Sequence, residues 1–266
     1  MGDPGDDGND ANWFSGHDHG PLTRVAGPEV SGRAMTDTVL LLFGVLFVPT
    51  VFILTGLSVL DALDITEAND PAIFFGAQTA LNFVGFLVVG IGYLAWRRDP
   101  SLVGIRRPTR RDLALLVGGF LALVTVMLGF ETLFELFGVE MAENDAIARG
   151  RNNPELFLLF IPIQFLLTGP GEELIFRGLI QGLLRQAYGV LPAILVASIV
   201  FALFHIPALG TGSEAVPTLV IIFASGALLG ALYEYSGNLL VPVVVHASWN
   251  ALVFASLYVS TVGMIG

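Results

Sequence analysis

The sequence predicts an all-α fold, a polytopic bundle of transmembrane helices preceded by a disordered acidic tail. Hydrophobic residues make up 54% of the 266 residues and charged residues only 13%, whereas a soluble domain carries about 25% charged residues. The apolar residues also come in long blocks, several of them near the roughly 20 residues that cross a bilayer. The chain therefore has the composition and length of one membrane-embedded bundle.

The charge and the missing cysteine exclude several classes of function. A net charge of −11 argues against a nucleic-acid partner, because such proteins present a basic face. With no cysteine, disulfides and thiolate metal sites are excluded. The twelve basic residues are all arginine. A lysine-free, acidic chain indicates a high-salt habitat, such as that of a halophilic archaeon, since carboxylates retain water against competing salt.

Two regions follow from the distribution of apolar residues. Residues 1–36 are rich in Gly and Asp and lack the positive start and apolar run of a secretory signal. We expect them to form a disordered cytoplasmic tail. Residues 37–266 form the membrane-embedded domain, and residues 155–255 carry the candidate chemistry.

Three apolar blocks, residues 38–60, 72–96 and 113–137, predict the first three spans. Six arginines lie in one short stretch between the second and third blocks: Arg97, Arg98, Arg106, Arg107, Arg110 and Arg111. By the positive-inside rule this loop faces the cytoplasm. The interpretation is a multi-pass protein of the cell membrane, with a cytoplasmic N-terminus and the lipid bilayer as its surroundings.

The fourth block, residues 155–186, is interrupted by the residues Thr-Gly-Pro-Gly at 168–171. Proline bends a helix, so the block is either one long kinked helix or two short spans. Two spans would each be short for a bilayer, which favours the kinked helix. Further blocks at about 191–206, 217–235 and 239–262 complete seven spans, or eight if the interruption is a reversal.

Ionisable side chains lie inside the apolar blocks after residue 155. Near the block ends, Arg185 and Glu234 can snorkel to the interface. The remaining five lie deeper, where a charge costs about 2.5–3.5 kcal/mol on insertion scales. They are Glu172, Glu173, Arg177, His205 and His246. Such residues face a protein interior, pair with one another, or take part in function.

Helical spacing separates the two glutamates. Glu173 and Arg177 are four residues apart and share a face, so they can pair. Glu172 points about 100° away and has no cation on its own helix. Pro170 suits the first turn of a helical segment, where a carboxylate gains from the helix dipole. Glu172 is therefore a candidate general base.

Two further pairs at the same spacing complete the pattern. Phe201 and His205 share one helix face, and His246 and Asn250 share another. Taken singly, a buried histidine, an asparagine between helices and a core phenylalanine are more often structural. Together a carboxylate, two imidazoles and an amide can activate water and stabilise an oxyanion, which amide hydrolysis requires.

These residues resemble the motifs of a known family, the CPBP intramembrane endopeptidases, which includes type II CAAX prenyl proteases and bacteriocin-immunity proteins. Residues 172–177, EELIFR, resemble its EExxxR motif, residues 201–205, FALFH, its FxxxH motif, and residues 246–250, HASWN, its HxxxN motif. The three occur in the family's order. The resemblance covers about residues 155–255, and the first three spans match only in being hydrophobic.

The resemblance implies a role for each residue. Glu172 would be the general base, assisted by His205, and His246 and Asn250 would form the oxyanion hole. Glu173 would support the site, held by Arg177, with Phe201 as a structural contact. The substrate would be a membrane-embedded or lipidated peptide or protein, and nothing in the sequence identifies it.

Metal dependence and two other functions stay open at this level. We expect no required cofactor, but Glu172, His205 and His246 could hold zinc with an open position, although no HExxH motif is present. A proton- or cation-coupled transporter would also place ionisable groups in the membrane, and the Gly-Pro-Gly interruption fits a discontinuous transport helix. A non-catalytic immunity or partner protein could use the same fold.

Overall fold

The structure is a computed structural model that describes residues 22–23, 25–65, 70–210 and 212–265. Within these residues all regular structure is helical, which confirms the all-α prediction. We number nine helices: α1 Pro28–Ala62, α2 Pro71–Arg97, α3 Arg110–Leu136, α4 Asp145–Asn152, α5 Glu155–Tyr188, α6 Val190–Leu203, α7 Ile206–Leu209, α8 Ala215–Ser236 and α9 Leu240–Ile265. A short 3₁₀ turn, Pro100–Leu102, lies between α2 and α3.

Six of the described helices are long and apolar enough to cross a membrane: α1, α2, α3, α5, α8 and α9. The remaining predicted span, the fifth in chain order, corresponds to α6, which has 14 residues, fewer than the roughly 20 that span a bilayer. The block predicted at 191–206 is shortened because the chain turns at Phe204 and His205 before α7. The prediction of a polytopic bundle holds, with six helices of spanning length and one shorter apolar helix.

Helix α5 is continuous through the Thr-Gly-Pro-Gly residues, as the single-helix interpretation predicts. The alternative prediction of a chain reversal at these residues, which would have made an eighth span, is wrong. The prediction of a discontinuous helix, which suggested a transporter, is also wrong. Wide π-helical turns, Gln164–Thr168 and Leu174–Gln181, flank the two glutamates. The π-helical turn Gln164–Thr168 accommodates Pro170, which has no N–H and would therefore interrupt the hydrogen bonds of a regular α-helix. Because Glu172 lies inside a long helix, the expected stabilisation by a helix N-terminus does not apply.

The first helix begins earlier than expected. Residues 28–36, assigned from sequence to the disordered tail, are helical, and Pro28 occupies the first turn of α1, where a missing N–H is tolerated. The preceding segment is tied to the corner between α5 and α6. The Ala26 N–H donates to the Ala187 carbonyl and the Leu191 N–H to the Leu22 carbonyl, both at 2.9 Å. Residues 1–21 and Arg24 lie outside the described residues, so their disorder stays a prediction.

Helices α1 and α2 form an antiparallel pair. Near one end, the Tyr93 hydroxyl donates to Asp37 at 2.9 Å, and Arg97 lies 3.6 Å from the same carboxylate. Halfway along, Gly85 faces Pro49, and a Cβ on Gly85 would lie 2.6 Å from the Pro49 Cα. The two backbones therefore approach too closely for any side chain at position 85.

Large apolar side chains cover the outer surface of the bundle, whereas α5 lies at its centre. On α3, Leu113, Val117 and Leu121 are all exposed and share one face, as expected for a surface in contact with lipid. In α5, 56% of the apolar window is buried, against 33% or less in every other spanning helix. Most side chains of α5 thus contact protein, and polar groups on this helix face the bundle interior.

A ladder of polar contacts sets the register between α5 and α8. Three of its four contacts join residues 49 positions apart in the chain and the fourth joins residues 53 apart, so the two helices run parallel. The contacts are Arg177 to the Gly226 carbonyl at 3.3 Å, Gln181 to the Gly230 carbonyl at 3.1 Å and to Glu234 at 2.8 Å, and Arg185 to Glu234 at 3.1 Å. Gly226 and Gly230 allow the close approach, as small residues four apart do in membrane helices.

The ladder corrects one interpretation of the sequence. Glu234 and Arg185 were expected to reach the interface separately by snorkelling. Instead they form an ion pair, and the Glu234 side chain is only 8% exposed. Pairing lowers the cost of a charge in apolar surroundings, so the charge near the end of α8 fixes a helix contact.

We predict that Gly85→Ala destabilises the protein and that Gly92→Ala on the same helix does not. The new Cβ at position 85 would collide with the backbone of Pro49, whereas a Cβ at position 92 has no neighbour within 4 Å. Overpacking of this kind costs about 1–3 kcal/mol. Thermal unfolding of both variants in detergent, followed by tryptophan fluorescence, measures the difference. Equal midpoints for the two variants would show that α1 can shift away from Gly85.

Candidate active site

The two glutamates on α5 are both buried but have different partners. Glu173 is fully buried and Glu172 is 8% exposed. The Glu173 carboxylate accepts a hydrogen bond from His246 Nδ1 at 2.8 Å and lies 3.3 Å from Arg177 Nε. Glu172 Oε2 lies 3.7 Å from His246 Nε2. Arg177 thus pairs with Glu173, as the four-residue spacing predicts, and both carboxylates face one imidazole on α9.

Arg177 is held on several sides. Its side chain is 1% exposed, one Nη donates to the Gly226 carbonyl, and its guanidinium lies 4.2 Å from the centre of the Phe201 ring. A Cβ on Gly226 would lie 3.3 Å from Arg177 Nη2, so glycine leaves room for the guanidinium. These contacts compensate for the loss of water around a buried cation and fix Glu173 in turn.

The hydrogen bond from His246 fixes the orientation of its ring. An ionised carboxylate only accepts hydrogen bonds, so Nδ1 carries the proton that Glu173 receives. Nε2 then points to the side of Glu172. A histidine whose Nδ1–H is held by a carboxylate keeps one ring orientation, and His246 therefore presents Nε2 to the space beside Glu172.

His205 lies in the turn after α6. Its backbone N–H donates to the Ala202 carbonyl, which leaves the Phe201 carbonyl free to accept from His205 Nδ1 at 2.8 Å. Because a carbonyl only accepts, Nδ1 carries the proton, and neutral His205 has its lone pair on Nε2. The half-buried ring can therefore act as a hydrogen-bond acceptor through Nε2.

Phe201 joins the two histidines. Its ring centre lies 4.7 Å from that of His205 and 6.0 Å from that of His246, edge to face in both cases. Among the described residues no hydrogen bond or ion pair links His205 to Glu172. The structure thus brings together Glu172, Glu173, Arg177 and His246 directly, and His205 through Phe201.

Asn250 has a partner that the sequence analysis missed. Its Nδ2 donates to Gln164 Oε1 at 2.9 Å, and Gln164 is 4% exposed. Gln164 is not ionisable, so the pattern of ionisable residues in the apolar blocks does not include it. The available signal was a neutral polar residue eight positions before Glu172, in a segment that is otherwise almost entirely apolar.

The donors expected for zinc do not form a ligand set. In the part of the chain that the structure describes, no group of three or more His, Cys, Asp or Glu side chains could hold a metal ion. Glu172 and His246 face each other, but the third member, His205, does not join them. The zinc alternative therefore finds no support in the arrangement of these side chains.

Residues 154–252 match a family model described as type II CAAX prenyl endopeptidase Rce1-like. This segment is an Rce1-like domain. It makes up a little more than a third of the chain, extends from the start of α5 into α9, and contains all three motifs. The match confirms the resemblance to the CPBP family. No curated protein and no solved structure matches the chain.

The protein therefore contains a domain similar to the type II CAAX prenyl endopeptidases, which covers residues 154–252. With six candidate spanning helices, it is a multi-pass membrane protein. The domain begins one residue before α5, so α5, the most buried spanning helix, and its partners α6, α8 and most of α9 carry the family features. Helices α1, α2 and α3 lie outside the match.

We predict that Arg177→Leu is more destabilising than the double substitution Glu173→Gln/Arg177→Leu. The single variant leaves a buried carboxylate without its cation, and breaking a buried pair in this way costs about 3–5 kcal/mol. The glutamine of the double variant is neutral and can still accept from His246. Thermal unfolding in detergent compares the two. A double variant less stable than Arg177→Leu would contradict this role of Arg177.

Proposed function

We propose that the protein is an intramembrane endopeptidase that hydrolyses a peptide bond with a water molecule activated by Glu172. The observation that supports this most strongly is the cluster of Glu172, Glu173 and His246 between α5 and α9, inside an Rce1-like domain. One carboxylate is committed to Arg177 and the His246 Nδ1. The other, Glu172, has no arginine partner among the described residues and lies beside the free edge of the same imidazole.

In the proposed reaction Glu172 accepts a proton from water as its oxygen attacks the carbonyl carbon of the peptide bond. His205 Nε2 assists by accepting a hydrogen bond from the same water. The carbonyl oxygen becomes an oxyanion, to which a protonated His246 Nε2 and Asn250 Nδ2 donate. When the C–N bond breaks, Glu172 returns its proton to the leaving amine, and the carboxylate is restored.

The proposed mechanism requires no metal cofactor. Among the described residues Glu172, His205 and His246 do not form a group of metal ligands, whereas the contact with Glu173 already fixes the His246 ring with Nε2 beside Glu172. Every proton transfer and hydrogen bond of the reaction can be supplied by side chains of α5, of α9 and of the turn after α6. We therefore assign hydrolysis to the glutamate and leave no step to zinc.

The proposed substrate is a membrane-embedded or lipidated peptide or protein. The family model refers to prenyl endopeptidases, and a site between apolar helices favours a chain that enters from the bilayer. We also propose that the end carrying the arginine loop is cytoplasmic. Because α1 and α2 are antiparallel, the same orientation places the start of α1 in the cytoplasm.

We predict that Glu172→Gln abolishes cleavage and that Glu234→Gln does not. Loss of a general base lowers the rate by about 10²–10⁴-fold. Glu234 is a matched control because it is also a buried glutamate with a polar partner, but it belongs to the ladder between α5 and α8. Comparative peptidomics of membranes carrying wild type and each variant measures cleavage and identifies substrates.

His205→Ala provides a second test in the same membranes, and we expect it to abolish cleavage as well. Each variant is first checked for insertion and for a monodisperse detergent-solubilised form. The same cleaved peptides in the wild type, Glu172→Gln and His205→Ala membranes would refute the peptidase proposal.

We predict that chelators leave the activity unchanged. Incubation with 1,10-phenanthroline or EDTA removes accessible zinc, and elemental analysis of the purified protein should find no stoichiometric metal. A loss of cleavage in chelator that added zinc restores would instead support metal dependence.

A further inference from the structure

The contact between Gln164 and Asn250 lies about one helical turn from His246 on α9 and about two turns from Glu172 on α5. Asn250 follows His246 by four residues on α9, and Gln164 precedes Glu172 by eight on α5. The Gln164 side chain is 4% exposed, and its Oε1 accepts from Asn250 Nδ2 at 2.9 Å. Because an unsatisfied buried polar group is unfavourable, the two carboxamides depend on each other.

The hydrogen bond determines which end of the Asn250 amide faces which way. A carboxamide has two N–H donors at one end and a carbonyl acceptor at the other. With one N–H bound to Gln164, a flip of the Asn250 amide would place two carbonyl oxygens together. The second N–H of Asn250 therefore stays available in a fixed direction.

The backbone holds the two polar contacts between α5 and α9 in place. At Gly169 an added Cβ would lie 3.2 Å from the Val243 carbonyl oxygen and 3.3 Å from the Ala247 Cβ, so the helices nearly touch. Gln164 and Glu173 lie on either side of this position along α5. Their partners on α9, Asn250 and His246, are therefore held at a fixed separation.

We propose that Gln164 is a positioning residue that orients Asn250 as an oxyanion donor. The proposal deepens the proposed peptidase function and rests on it. In the free enzyme Gln164 accepts one N–H of Asn250, and in the transition state the other N–H donates to the carbonyl oxygen of the scissile bond. Gln164 itself contacts neither the substrate nor the attacking water.

The size of the expected effect follows from the role of Asn250. Removing an oxyanion donor lowers kcat by about 10²–10³-fold, and misplacing a catalytic group by about 1 Å costs on the order of 10²-fold. Gln164→Met keeps the length of the side chain but cannot accept the hydrogen bond in the same way. We expect it to lower kcat by about 10–100-fold with little change in KM, because the ground state does not use this donor.

A double-mutant cycle tests whether Gln164 acts through Asn250. Kinetics with a peptide identified by peptidomics are measured for Gln164→Met, Asn250→Ala and the double variant. We expect the double variant to be no slower than Asn250→Ala alone. The matched control is Gln181→Met, which removes a buried carboxamide of α5 that contacts α8, and its effect should multiply with that of Asn250→Ala. Multiplicative effects for Gln164→Met, or an unchanged kcat, would overturn the proposal.

A second measurement does not depend on activity. In protein labelled with ¹⁵N-asparagine, NMR in detergent follows hydrogen exchange of the Asn250 side-chain amide, which is assigned by its loss in Asn250→Ala. One proton should exchange slowly in the wild type and in Gln181→Met, and rapidly in Gln164→Met. Unchanged protection in Gln164→Met would overturn the proposed contact.

The two proposals fail in different ways. An unaltered kcat in Gln164→Met, beside an inactive Glu172→Gln, would remove the positioning role and leave the peptidase intact. Equal activity of the wild type and Glu172→Gln would refute the peptidase, and with it the positioning role, whatever the exchange rates show.

Discussion

The site depends on a carboxylate that has been removed from water. Glu173 is fully buried, and such a charge is tolerated only with close partners. Arg177 and His246 supply them from α5 and α9, and Arg177 is fixed by α6 and α8 through Phe201 and the Gly226 carbonyl. Four helices thus meet around one charge, and the orientation of His246 follows from their packing.

The polar ladder extends this arrangement to the end of the bundle. Apolar side chains in a bilayer gain little by packing against one another rather than against lipid, so helix contacts rely on small residues and buried hydrogen bonds. Between α5 and α8 the glycines allow the close approach, and Gln181, Arg185 and Glu234 fix the register. The same register places Arg177 beside Gly226, so the stability of this interface and the geometry of the site have a common origin.

Much of this organisation could be predicted from the sequence. The apolar blocks identified the helices, because backbone groups in a membrane must be paired within the helix. The four-residue spacing identified the pairing of Glu173 with Arg177, because residues so spaced share a helix face. Contacts between helices could not be predicted in this way. Gln164 meets Asn250 from 86 positions away, and nothing in either segment specifies that approach. The wide turns that carry α5 past Pro170 also lack a distinct hydrophobic pattern.

Because of those wide turns, the number of residues in α5 matters for the backbone that carries the active-site side chains. A π-helical turn contains about one residue more than an α-helical turn, and Gln164–Thr168 is such a turn. Deleting one residue there would leave a continuous apolar helix that still crosses the bilayer. It would also remove the extra residue of the wide turn, so that Pro170 would interrupt a regular α-helical ladder with its missing N–H and its ring. Insertions and deletions in this segment therefore act on the backbone around Pro170, whereas most substitutions on its lipid-facing side leave that backbone intact.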